Sequence, residues 1–262
     1  MTLATLRSQL GIESPKVVPQ PLPNGFLRGL QAPLKGLLNR IRDAIRDDTL
    51  TVAQIDSFIH ENLDRLPASK KQQILGFLLS KKAFLLFRDG HEAKGLEFYD
   101  EALKVNEAPS TWTLKGTALL QMERLDEAFQ SFEKAFSLRE NFGDQKQEYL
   151  NDLIVGWSTA ALLRALGGIL GHDVDEAQKG VNEYLKLLEE AKAENLQTSV
   201  VNLAFEEPVD QELRDALEEL ELMVRLLSIK DPFEGWRALT KELTNVWPTG
   251  VSAVDAVREQ RE

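Results

Sequence analysis

The sequence predicts an all-α fold built from stacked helical hairpins. Three observations lead to this class: apolar residues recur at helical spacing over most of residues 33–195, turn residues separate these segments, and one pattern of residue sizes repeats after a shift of 33 positions. With 262 residues, 43% of them apolar, the chain is long enough to bury a substantial core. We expect two clear repeat units and a third, degenerate unit, with additional flanking helices.

The N-terminal segment, residues 1–24, is predicted to be an extended tether. Prolines recur through "SPKVVPQPLPNG", and each one fixes φ and removes a backbone N–H donor. The residues before it lack the apolar core of a signal peptide, so we expect no secretory signal.

Residues 25–67 are predicted to form a basic amphipathic helix and a capping helix. Pro33 suits the first position of a helix, and apolar and basic residues then occupy different faces. The apolar face contains Leu34, Leu37, Leu38, Ile41 and Ile45, and the basic face contains Lys35, Arg42 and Arg46.

Two later helix starts are predicted from capping boxes, in which a hydroxyl and an amide side chain satisfy free N–H groups. Thr51 and Gln54 have the required spacing, and so do Ser69 and Gln72.

Residues 68–197 are predicted to hold the repeats. Residues 110–136, shifted back by 33 positions, match earlier residues of the same size class, and "VDEAQKGVNEYL" (174–185) echoes "LDEAFQSFEKAF" (125–136) as the degenerate third unit. The matched pairs are Trp112 with Leu79, Gly116 with Ala83, Leu119 with Leu86, Ala128 with Gly95, Phe132 with Tyr99, and Ala135 with Ala102.

Residues 198–262 are predicted to be a helical C-terminal extension that contains a strongly acidic helix. Its apolar residues alternate gaps of four and three, which is the spacing of a seam against another helix. These residues are Leu213, Leu217, Leu220, Val224 and Leu227.

Charge is distributed unevenly along the chain. Residues 1–47 carry seven basic and three acidic side chains, a net charge of +4, which leaves −15 for the remainder of a chain whose total is −11. The oppositely charged ends could therefore meet, within one chain or between two.

Composition also argues against several classes of protein. The acidic balance disfavours a nucleic-acid partner, and no run of apolar residues predicts a membrane span. Because the chain has no cysteine, it has no disulfides and no thiolate sites. We expect a cytoplasmic protein with no membrane partner.

The second unit resembles the tetratricopeptide repeat. Trp112, Gly116, Ala128, Phe132 and Ala135 stand on the signature positions of that family, whereas Lys115 and Glu140 depart from its pattern. The resemblance implies a right-handed superhelix whose first helices line a concave groove that receives an extended peptide or a helix.

In this register, the implied groove has an apolar floor. Phe84 and Phe87 would contact an apolar helix, although both could instead belong to the core. Members of the family that bind the terminal carboxylate of a chaperone need Lys and Asn in the groove. Thr113 and Thr117 cannot supply that positive charge, so we do not expect a chaperone tail as the partner. The predicted protein-binding residues are Phe84, Phe87, Arg88, Thr113, Thr117, Leu120 and Gln121, with Ser80 beside them.

The sequence offers no catalytic constellation. His60, His91 and His172 lie on different segments, and no HExxH spacing, phosphate-binding loop or nucleophile elbow is present. We therefore predict a non-enzymatic protein with no cofactor and no metal.

Two functional hypotheses follow. The first is a scaffold or adaptor that binds a protein partner in its groove. The second is a self-assembling structural protein, such as a homodimer, whose groove is filled by its own helix at residues 33–46.

Overall fold

The computed structural model describes residues 27–196, except Gly29, and residues 211–227. The predicted tether, the segment 197–210 and the predicted helices after residue 227 lie outside these residues. Within them are the α-helices α1 Ala32–Arg46, α2 Val52–Asn62, α3 Ala68–Arg88, α4 Glu92–Val105, α5 Pro109–Gln121, α6 Leu125–Ser137, α7 Lys146–Leu170, α8 Val174–Ala193 and α9 Gln211–Leu227. The described residues form no β-strand, so the all-α prediction is confirmed.

Six of the helices form three tightly packed hairpins: α3 with α4, α5 with α6, and α7 with α8. Successive hairpins also pack on one another, because α4 contacts α5 and α6 contacts α7. This nearest-neighbour arrangement is that of a helical solenoid, in which each unit covers the apolar face of the next. The predicted two clear units and degenerate third unit are these three hairpins.

Small residues occupy the points where paired helices cross. A Cβ atom on Gly95 would lie 3.0 Å from the carbonyl oxygen of Ala83, and one on Gly180 would lie 2.5 Å from the backbone nitrogen of Ala165. Side chains larger than glycine would force these backbones apart, since buried atoms are already close-packed. The crossings therefore require the size classes that the sequence repeat preserves.

The aromatic side chain of the second helix fills the space between units. Phe132 on α6 is fully buried, and its ring lies 2.7 Å from a Cβ placed on Gly116 and 3.3 Å from a Cβ placed on Gly156. It is thus wedged between α5 and α7. Tyr99 and Tyr184, on the second helices of the neighbouring hairpins, are also buried.

A common turn closes the first helix of every pair, including α1 and α2. Asp48, Gly90, Glu123 and His172 all have positive φ, between 51° and 82°. At each turn the N–H of the positive-φ residue donates to a carbonyl three residues back, and the next N–H donates to one five residues back. This is the Schellman helix end, which satisfies carbonyls that the helix leaves free.

The turn between α1 and α2 therefore has the same geometry, in a region that the sequence predicted only as flanking helices. These two helices do not pack as closely as the three hairpins, and a Cβ on Gly36 of α1 would meet nothing within 4 Å. Their contact is made by larger apolar side chains, so neither the size pattern nor the 33-residue shift identifies it.

The apolar stripe of α1 is buried within the same chain. Leu34, Leu38, Ile41 and Ile45 form a core with residues of α2 and α3. The predicted capping box at Thr51 begins α2, with Gln54 N–H donating to Thr51 Oγ1 over 3.3 Å. The predicted cap at Ser69 is wrong, because α3 already begins at Ala68, after Pro67.

The acidic helix α9 packs against α7 and α8, whereas α1 packs against α2 and α3. Leu220 of the predicted seam is buried in this contact, and so is the neighbouring Ala216. The two oppositely charged helices thus pack against different elements, at the two ends of the row of hairpins. The apolar face of each is covered by its neighbouring helices and not by the other charged helix.

Helix α7 is the most apolar element of the described chain. Its 25 residues include a window of mean hydropathy 1.6, so by length and composition alone it could cross a membrane, although the sequence was expected to contain no such span. In the structure 78% of that window is buried. Helices α5, α6, α8 and α9 pack around it, which is the environment of a core helix.

Candidate protein-binding surface

The predicted groove residues on α3 divide between core and surface. Phe84 and Phe87 are half-buried and pack against apolar clusters, and Phe84 touches both the core around α1 and the core of the repeats. Ser80 is buried. The two phenylalanines therefore contribute to the packing of the core and are also partly accessible. The sequence had left open whether they belong to the core or to a binding surface, and each has features of both.

Three predicted groove residues on α5 are not accessible. Thr113 and Thr117 are each only 5% exposed, and Leu120 is 1% exposed. Thr113 Oγ1 donates to the carbonyl of Pro109 over 3.1 Å, and Thr117 Oγ1 donates to the carbonyl of Thr113 over 3.0 Å. The prediction that these residues line an open groove is wrong, because their hydroxyls are satisfied within their own helix and their side chains lie in the core.

Helix α7 is the physical reason for the burial of Thr117. Gly156 lies against α5 there, and a Cβ on it would be 3.7 Å from Thr117 Oγ1. The side of α5 that carries Thr117 therefore faces the first helix of the third hairpin. This is a contact between distant parts of the sequence, and no local pattern predicts it.

The two remaining groove positions lie at helix ends. Arg88 is exposed at the end of α3, where it forms ion pairs with Asp48 at 2.8 Å and with Asp89 at 3.3 Å. Gln121 is half-buried at the end of α5. An accessible strip of Phe84, Phe87, Arg88 and Gln121 therefore remains of the predicted site, and we call it the aromatic strip.

A concave feature lies at the turns of the second and third hairpins. This turn cleft has a volume of about 610 Å³, which falls within the usual range of ligand-sized pockets. Its wall includes Gly167, in the last turn of α7, and Gly171, which directly follows that helix. Its carboxylates are Glu123, Asp126, Glu127, Asp173 and Glu176.

Two arginines are held inside the turn cleft by these carboxylates. Arg124 donates two hydrogen bonds of 2.6 Å to Glu127, and this contact holds the pKa of the Glu127 carboxyl below its usual range. Arg164 pairs with Asp126 and Glu176. Acidic groups outnumber the two arginines, so the cleft favours cationic groups.

The structure does not bring the histidines together into a catalytic site. His60 is near the end of α2, and His91 and His172 lie in two different hairpin turns, all three exposed. Among the described residues no group of three or more histidine, aspartate or glutamate side chains has an arrangement that could hold a metal ion.

The helices and their turns define a helical-hairpin repeat protein. Residues 109–142, which span α5, α6 and the start of the following turn, match the tetratricopeptide repeat. The resemblance predicted from Trp112, Gly116 and Phe132 is confirmed by this match, and the fold is an all-α solenoid of the tetratricopeptide-repeat type. Searches of curated proteins and of solved structures returned no match to the chain.

Proposed function

We propose that this protein is a non-enzymatic, cytoplasmic scaffold that binds a protein partner along the hairpin turns. The observation that carries this proposal is the tetratricopeptide repeat of α5 and α6, placed within a stack of similar hairpins. Repeats of this family generally bind proteins and do not catalyse reactions. A stack of this kind offers a long, rigid surface, which reduces the entropy lost by the scaffold on binding.

The proposed contact surface is the aromatic strip together with the turn cleft. Phe87 would provide an apolar anchor at the end of α3, and Gln121 lies two residues before Glu123, the first residue of the cleft. A partner that fits both regions is a helix or extended peptide with an apolar side chain followed by basic residues.

Capture of partners with matched variants tests this function. We expect the wild-type chain to enrich a specific protein that Phe87→Ala loses, while Phe98→Ala still captures it. Phe98 is the control because it is also half-buried and packs against the repeat core, but it belongs to the second helix α4. Thermal unfolding of each variant shows whether the chain remains folded.

Two results would contradict the proposal. Loss of capture by both variants would mean that neither ring is a specific anchor. A drop in the melting temperature of Phe87→Ala large enough to unfold the repeats would place Phe87 in the core, since truncation of a buried phenylalanine costs about 3 to 5 kcal/mol.

Self-assembly through α1 has less support. The stripe that was expected to drive it is covered by α2 and α3 of the same chain. Homodimerisation through other surfaces remains an alternative, and light scattering over a range of protein concentrations tests it directly: a constant monomer mass would exclude a dimer over that range.

A further inference from the structure

The first helices of the three hairpins carry a basic side chain at the same position. Lys82 of α3, Lys115 of α5 and Arg164 of α7 each stand eight residues before the positive-φ residue of the following turn. Each side chain forms an ion pair with an aspartate on the second helix that precedes it in the row. The pairs are Lys82 with Asp56 and Lys115 with Asp100, both at 2.6 Å, and Arg164 with Asp126.

These three basic side chains lie within the contacts between neighbouring elements. Only 15% to 19% of each side chain is exposed. The charged group of Lys82 lies 4.2 Å from the ring centroid of Phe98, and that of Arg164 lies 4.3 Å from that of Phe129. This position therefore marks the side of a first helix that faces the element before it.

Arg40 stands at the same position of α1, eight residues before Asp48. Among the described residues no α-helix precedes α1, and none forms an ion pair with Arg40, which is exposed. Leu37 and Ala44 lie on the same side of α1 and are half-buried, whereas Leu119, the counterpart of Ala44 on α5, is buried. We call Leu37, Arg40 and Ala44 the head stripe, which lacks the neighbour that the other first helices have.

The other end of the row presents an acidic surface with an exposed leucine. Helix α9 packs on α7 and α8, and on its outer side Glu218, Glu221 and Leu222 are exposed within one helical turn. Leu222 is 54% exposed, which few large apolar side chains of the described residues are. Residues 215–224 contain four acidic side chains and no basic one, whereas residues 32–45 of α1 contain three basic and one acidic. We call Glu218, Glu221 and Leu222 the tail stripe.

We propose that the head stripe binds the tail stripe of a second copy of this chain, so that the protein assembles head to tail. Glu218 takes the role for Arg40 that the aspartates have for the other three cations, and Leu222 covers Leu37 and Ala44. Charge selects this occupant, because two head stripes would bring like charges together. The contact uses a different side of α1 from the apolar stripe that α2 and α3 cover, and it does not involve the aromatic strip or the turn cleft.

The two contacting surfaces differ, so the interface is heterologous. Such an interface extends into open chains or closes into a ring, and it does not stop at a two-fold dimer unless the ring has two members. The head stripe of one copy and the tail stripe of another stay free at the ends of an open chain. Variants that remove one stripe therefore leave the other able to bind.

The test is light scattering of the full chain at low ionic strength, at concentrations up to about 1 mM, the dissociation constant of a weak complex. We expect the wild-type mass to rise above the 29.5 kDa of the monomer and to fall again with added salt, which screens exposed charges. Arg40→Glu and Leu222→Glu should each stay monomeric. Lys94→Glu and Val174→Glu are matched controls at exposed positions outside both stripes, and they should associate as the wild type does.

Mixing the two monomeric variants distinguishes this interface from any symmetric one. Arg40→Glu keeps its tail stripe and Leu222→Glu keeps its head stripe, so the mixture should form one heterodimer of twice the monomer mass and nothing larger. A wild-type mass that stays at the monomer value, loss of association in the controls, or no heterodimer in the mixture would overturn the proposal. A lower melting temperature of Arg40→Glu than of Lys94→Glu would also overturn it, because Arg40 would then have its partner within one chain.

Discussion

Gly116 is the residue whose replacement tests the hairpin crossing most directly. Its added Cβ in Gly116→Ala would lie 2.7 Å from Cδ1 and Cε1 of Phe132, a ring that is itself fixed between two helices. We expect overpacking to cost about 1 to 3 kcal/mol of unfolding free energy. The measurement is urea unfolding followed by circular dichroism.

Gly36→Ala is the matched control, because a Cβ there meets nothing within 4 Å. Removing a glycine from a helix interior should stabilise the protein by about 0.5 to 1 kcal/mol. The two substitutions are chemically identical. If they change the unfolding free energy in opposite directions, the difference comes from the close helix crossing at Gly116. Equal effects would contradict the role assigned to Gly116.

Lys81 of α3 is buried, and it predicts an unusual dependence of stability on pH. Burial lowers its pKa in the folded state to about 7, below that of an unfolded lysine, so between about pH 7 and 10 the unfolded chain binds more protons than the folded one. Stability should therefore increase as the pH rises through this window. The pKa difference corresponds to roughly 5 kcal/mol in total.

Lys81→Met removes this effect at nearly constant volume. We expect the variant to be more stable than the wild type at pH 7 and to lose the rise towards pH 9.5, measured by denaturant unfolding at a series of pH values. Parallel curves for the two proteins would show that Lys81 is charged or solvated in the folded state.

At the scale of the element, α1 is held against the rest of the protein by its apolar stripe more than by its charged side chains. Ile41 is 7% exposed in the core that joins α1 to α3, whereas the neighbouring Arg40 is exposed. Because exposed charges contribute little, Arg40→Ser should change stability by less than about 0.5 kcal/mol.

Ile41→Ser should instead release α1 from α3 and expose the apolar face beneath it. Truncation of a buried isoleucine costs about 2 to 5 kcal/mol. The expected readout is increased fluorescence of a hydrophobic dye, with no increase for Arg40→Ser. Similar dye binding by both variants would mean that charge, and not the stripe, holds the helix.

At the scale of the whole molecule, the described residues form two apolar cores that share Phe84. One joins α1, α2 and α3, and the other runs through the repeats to α9. In a stack with mainly nearest-neighbour contacts, units can open separately.

This organisation predicts a local response to Ile41→Ser in hydrogen exchange followed by mass spectrometry. Peptides from α1 and α2 should exchange faster, while those from α7 and α8 should keep their wild-type rates. If exchange accelerated equally along the chain, the two cores would unfold as one cooperative unit.

The sequence by itself determined the hairpins of residues 68–195 and their class. Gly116, Ala128 and Phe132 belong to a single hairpin, so their spacing along the sequence is enough to predict that they pack together. The capping box at Thr51 was also predictable, because it involves only neighbouring residues. Ser69 matched the same spacing and failed, since helix propensity and Pro67 place the start of α3 earlier.

Only the tertiary structure decided which residues are accessible. Thr117 is buried because α7, whose Gly156 lies far along the chain, crosses over it. The turn cleft likewise forms between elements that are distant in sequence. Periodicity identifies the apolar face of a helix. Which element covers each part of that face depends on the packing of all the helices together, and no local sequence pattern predicts that packing.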